Sequence, residues 1–294
     1  MTNNFGSAII TKPDATKVTH GSQIIAITSG KGGVGKSMLS VNMSILFQKM
    51  RKKVLLIDAD VHLGNVDLLM GVRAKYTLSD VLNPGISLND IIVKGPGNVD
   101  ILPASSTSVH LIGMEEHILE LLADKFAKLH HTYDYIIIDT GSGISKTVIS
   151  FLLGAEKIIV IVSPDPASIV DGYAMIKVIK TIKSEIPVIV IANMVNSHDE
   201  ADIMYKKIDL MVQKFLKSEI EFGGSILKDE LVSRSIKKQR PFVLEHPYAQ
   251  STNALQMCTR KLLNIDPSIT IGSQNLFKRL ITNRKTDYQW SDSL

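Results

Sequence analysis

The sequence predicts an α/β fold in which one mostly parallel, twisted sheet carries helices on both faces. Three observations predict it: short apolar runs rich in β-branched residues, longer segments of helical period between them, and glycine, aspartate and asparagine gathered at the carboxyl ends of the runs. The runs are QIIAITS (23–29), KVLLIDAD (53–60), DYIIIDT (134–140), KIIVIVS (157–163) and PVIVIAN (187–193). They are apolar at successive positions rather than at alternate ones, as strands covered on both faces require. Between or after them, Ser37 to Met50, Ile169 to Ile182 and Ala201 to Leu216 have the period of amphipathic helices, so the series is built from βαβ units. Weaker runs at VDILPAS (99–105) and IEFGGSIL (220–227) predict two more strands.

A chain of 294 residues, 45% hydrophobic, can bury a substantial core as one domain, here expected over 23–265. Residues 1–22 are polar and turn-rich and are expected to form a flexible arm, without the basic start and apolar run of a targeting peptide. Residues 266–294 form a tail. Cys258 is the single cysteine, so no disulfide framework is possible and a reducing, cytoplasmic setting is expected. No run of about 18 apolar residues spans a bilayer. The formal charge of +4 is small and its cations are dispersed, so no nucleic acid partner is expected. His130-His131 has no second ligand at metal spacing.

Gly30-Lys31-Gly32-Gly33-Val34-Gly35-Lys36-Ser37 has the spacing of a phosphate-binding loop, and it lies where that loop must lie, between a strand and a helix. Glycines let backbone N–H groups turn inward around phosphate oxygens, and the N-terminus of the helix, continuing through Met38, adds its positive end. The chain therefore reads as a single P-loop NTPase domain. Lys36 should reach the β- and γ-phosphates, and the Ser37 hydroxyl should bind Mg²⁺. That ion prefers oxygen ligands, which Asp139 and Asp58 supply at neighbouring strand ends. Asp60 lies two residues beyond Asp58, where a carboxylate can orient an attacking water, and is expected to be the hydrolytic residue.

A second lysine, Lys31, is more than phosphate binding requires. With it, KGGVGKS resembles the deviant Walker A motif of the MinD/ParA family of P-loop ATPases. LLIDAD, IIIDTGSGIS, SPDPASIVDGYAMIK and ILKDELVSRSIKKQRPFVLEHPYAQSTNAL extend the resemblance over roughly Gln23 to Leu263. DTGSGIS and SPDPASIVDGYAMIK are most similar to the FlhG-type regulators of flagellar number, with division-site MinD-type and partitioning ParA-type ATPases as the alternatives. The resemblance implies an ATPase of slow turnover that is monomeric with ADP or empty and a homodimer with ATP, with Asp60 to Asp67 and Thr140 to Ser145 as the candidate segments that would respond to the γ-phosphate. Lys31 would reach the γ-phosphate of the other subunit, as a cation supplied in trans. The base would be adenine, contacted by Asn193, with Leu227, Lys228 and Asp229 walling its pocket. Asn193-Met194-Val195-Asn196 also lacks the Asn-Lys-x-Asp pattern of guanine readers.

In the tail, Leu276, Phe277, Leu280 and Ile281 share one helical side with Lys278, Arg279, Arg284 and Lys285 around them. A helix over about 275–285 could lie in an anionic membrane interface. Relatives of this type carry such a helix, which implies peripheral association with the cytoplasmic membrane. Their partners include the GTPase FlhF and proteins of the flagellar C-ring. The arm departs from that pattern, since the Asp-Gln-Ala…Leu-Arg activation motif is reduced to Asp14-Ala15.

Overall fold

The structure, a computed structural model, describes residues 21–60, 64–77, 80, 85–104 and 132–264. The arm through residue 20, His130-His131 and the tail with Leu276, Phe277, Leu280 and Ile281 lie outside the described residues. An eight-stranded sheet forms the centre. Its strands are β1 (Gln23–Ser29), β2 (Val54–Ala59), β3 (Val93–Lys94), β4 (Asp100–Leu102), β5 (Tyr135–Ser142), β6 (Lys157–Val162), β7 (Val188–Val195) and β8 (Glu221–Leu227). They lie in the order β3-β4-β2-β5-β1-β6-β7-β8, with every pairing parallel except the antiparallel β3–β4 edge. All seven expected strands are present. The two-residue β3 is an addition, too short to leave a periodic signal.

The described α-helices are α1 (Lys36–Lys49), α2 (Val66–Met70), α3 (Leu88–Ile91), α4 (Lys146–Gly154), α5 (Pro166–Ile182), α6 (His198–Met211), α7 (Glu230–Lys237), α8 (Phe242–Glu245) and α9 (Gln250–Asn264). Successive strand residues feed two different cores. Ile24, Ala26, Ile136, Ile138, Ile158 and Val160 face α4, α5 and α6, whereas Ile25, Ile27, Ile137, Ile159 and Ile161 face α1, α8 and α9. This is the physical reason the runs have no polar alternation. Cys258 belongs to the second core, and burial pushes its thiol up to about 11, as expected of a packing residue.

Caps set the helix starts that apolar period alone misplaced. Asp165 accepts from Ala167 N at the head of α5, and Ser197 accepts from Glu200 N at the head of α6, so both begin three residues before the apolar pattern does. At its far end α6 passes into a π turn over Val212–Leu216, closed by Lys217 at φ 49°.

Helix α1 crosses from the sheet to the chain's later elements through one buried side chain. Asn42 Nδ2 donates to Met38 O (2.7 Å), and Asn42 Oδ1 accepts from Val243 N (3.1 Å). Lys49 Nζ adds a bond to Val243 O (3.0 Å). Asn42→Ala would strip a buried N–H of its acceptor, and the variant is expected to lose about 1–3 kcal/mol of stability, read as a lower urea midpoint. An unchanged midpoint would show that the Asn42 bond adds nothing to what Lys49 and apolar contact already hold between α1 and α8.

Candidate nucleotide-binding site

The loop from Gly30 to Ser37 leaves β1 and becomes α1. Two neighbours, Asp171 and Asn193, box it in. A Cβ on Gly30 would collide with the backbone carbonyl of Asp171 in α5, so only glycine lets the loop approach that helix. Gly35, the N-cap of α1, has φ 90°, and a Cβ there would strike the Asn193 amide. Asn193 itself is buried at the end of β7 and donates Nδ2 to Val34 O at 2.8 Å, bracing the loop on that side. Gly32, Gly33 and Met38 complete the loop and the first turn.

Inside the loop Lys36 is buried. Its Nζ lies 3.0 Å from Asp139 Oδ1 and 3.2 Å from Ser37 Oγ. Ser40, one turn further along α1, places Oγ 2.8 Å from the same Asp139 oxygen. Asp139 Oδ2 is buried with no hydrogen-bond partner among the described residues.

The parallel register of β2 and β5 sets Asp58 directly beside Asp139. Asp58 Oδ1 accepts from Asp60 N and Oδ2 from Val66 N, both at 3.1 Å, so this carboxylate also ties down the ends of the loop that follows β2. Burial, and then the charge of Asp139, push the Asp58 carboxyl up to about 7. Two buried carboxylates side by side, one with a bare oxygen, next to a serine hydroxyl make a set of hard oxygen donors that fits Mg²⁺. Asp60 turns towards the β5–α4 connection: its Oδ1 lies 3.6 Å from where a Gly141 Cβ would stand. The two loops expected to sense the γ-phosphate thus meet at Asp60 and Gly141.

Lys31 stands at the rim, ion-paired with Asp165, the residue that caps α5. That pairing, headed by the Lys31 ammonium, holds the Asp165 carboxyl below the usual carboxylate range. Leu227 ends β8 and Lys228 and Asp229 follow it, and register pairs Ile226 with Asn193 and Leu227 with Val195, so this segment does adjoin Asn193. Asp229 also carries architecture: Oδ1 accepts from Leu231 N (2.8 Å) as the cap of α7, and Oδ2 from Ser251 Oγ (2.7 Å) in α9. Two residues escaped the sequence reading. Ser40 looked like helix filler, although its i+4 spacing from Lys36 puts it on the same face. Asp165 lay within the segment SPDPASIVDGYAMIK without a role of its own.

Fold and site together define a P-loop nucleotide-binding protein of the α/β class. Residues 22–191 match the family described as AAA domain. The chain is 35% identical to the antiactivator FleN of Pseudomonas aeruginosa, over 83% of this chain and 87% of that one. It is 32% identical to the flagellum site-determining protein YlxH of Helicobacter pylori, over 74% of each. Its fold superimposes with a TM-score of 0.69 on the septum site-determining protein MinD of Pyrococcus horikoshii, solved in complex with Mg-ADP, at 25% identity, covering 83% of this chain and 97% of that one. The chain belongs to the MinD/ParA family of P-loop ATPases, whose ligands are ATP or ADP and Mg²⁺.

Asp58 makes stability depend on pH in a definite direction. Its folded pKa is raised, so between 3.8 and about 7 the folded chain holds a proton that the unfolded chain has released. Without nucleotide or magnesium, stability should fall as pH rises through that window and level off above it. Urea midpoints at the two ends of the window should differ for the native chain and converge for Asp58→Asn.

Proposed function

We propose that this chain is an ATP-driven switch that regulates the number or placement of flagella. The observation that carries this reading is similarity, across most of both chains, to an antiactivator and a flagellum site-determining protein. The site supports an ATPase. Arriving phosphates draw Lys36 away from Asp139, while the loop N–H groups and the start of α1 neutralise their charge. Ser37, Asp58 and Asp139 hold magnesium, which when bound screens the phosphate oxygens and fixes their geometry. With Asn193 Nδ2 donated to Val34, its carbonyl oxygen is left to accept from the exocyclic amine of adenine, with Leu227, Lys228 and Asp229 beside it. Asp60 orients the hydrolytic water.

Lys31 gives the switch its two states. Released from Asp165, it meets the γ-phosphate in a second copy, so ATP closes a homodimer, hydrolysis opens it, and turnover is slow. The monomer with ADP or without nucleotide is the resting form. The segment 275–285 attaches the dimer to the cytoplasmic membrane through Leu276, Phe277, Leu280 and Ile281. Partners of the flagellar C-ring, or FlhF, read the dimer.

Asp60→Ala should lower ATP turnover at least ~100-fold while leaving ADP affinity intact. Cells carrying only that variant should show an altered count or position of flagella by electron microscopy; normal flagellation would refute the flagellar assignment. Lys31→Ala should bind nucleotide yet keep the mass of one chain in light scattering with a non-hydrolysable ATP analogue, under conditions in which the native chain doubles. Doubling by the variant too would remove Lys31 from the interface.

A further inference from the structure

We infer that Ser40 is the positioning residue of the magnesium site, holding the Asp139 carboxylate so that Oδ2 faces the ion; this rests on the nucleotide-switch reading above. Asp139 is wholly buried, and a carboxylate in that position can present either oxygen. Both of its hydrogen bonds fall on Oδ1, from Lys36 Nζ at 3.0 Å and Ser40 Oγ at 2.8 Å, and Oδ2 is left bare. Lys36 cannot keep that post when it turns to the phosphates. Ser40 can, because it stands on the rigid part of α1 and has no phosphate to follow. Among the described residues it is then the one donor left to Asp139, in the state in which magnesium is bound.

The ordinary alternative for a buried helical serine is a bond back to its own helix. Ser44 does this, donating to Ser40 O at 2.7 Å. Ser40 differs: Lys36 O is 3.1 Å away and already serves the helix ladder, while the charged Asp139 oxygen is nearer. One hydroxyl proton goes to the shorter, charge-assisted bond. Alanine would suit the helix interior better, so the serine calls for a reason outside the helix.

The test compares the affinity for a fluorescent ADP analogue with saturating magnesium and with EDTA, for the native chain, Ser40→Ala and Ser40→Thr. Affinity in EDTA should be the same for the native chain and Ser40→Ala, which also verifies that the variant is folded. The gain on adding magnesium should be roughly tenfold smaller in Ser40→Ala, the size expected when a carboxylate ligand loses its supporting hydrogen bond. Ser40→Thr, which keeps the hydroxyl, should recover the gain. An equal magnesium gain in Ser40→Ala overturns the assignment, and so does a loss as large in EDTA as in magnesium, which would make Ser40 a packing residue. If the native chain binds no ADP in either buffer, the nucleotide reading falls and this assignment with it.

Discussion

Two carboxylates buried side by side, Asp58 and Asp139, are the constraint around which the molecule is arranged. Parallel register between β2 and β5 makes them neighbours, and no rotamer change can separate residues fixed at the ends of paired strands. Like charges that close in a low dielectric are costly unless a cation or protons intervene. The surrounding chain supplies partial answers: Lys36 and Ser40 to Asp139, two backbone N–H groups to Asp58. Each answer leaves oxygen donors whose charge a divalent ion would offset.

The same economy explains why the phosphate loop can be built before its ligand arrives. The Asp171 carbonyl and the Asn193 amide press on it from two sides, so little conformational freedom remains to be lost on binding. Helix α1 passes that rigidity on through Asn42 and Lys49 to Val243, and through Leu39, Met43 and Phe47 to the sheet. Asp229 extends the linkage by capping α7 and meeting Ser251, so the segment beside Asn193 is anchored to two helices.

Much of this was legible in the sequence because it is local. Runs apolar at every position identify central strands, and the glycine-lysine spacing identifies the loop. What escaped depends on contacts between distant residues. Lys36 meets Asp139 across 103 positions, and nothing in either neighbourhood announces the meeting. Ser40 was hidden because serine in a helix has a bland explanation. Asn193 and Asp229 were recognisable as candidates, but their bracing and capping roles depend on where Val34, Leu231 and Ser251 fold. The heads of α5 and α6 were misplaced because polar caps, not apolar period, decide where a helix begins.

The tether on Lys31 differs in kind from everything inside the loop. Both Lys31 and Asp165 stand more than a third exposed, so counter-ions penetrate between them and the tie weakens as ionic strength rises. Its release needs only a rotation of solvated side chains, on the scale of nanoseconds, with no loosening of the fold. The chain thus keeps one cation on a short leash outside a rigid cradle, ready for whichever anion comes within reach.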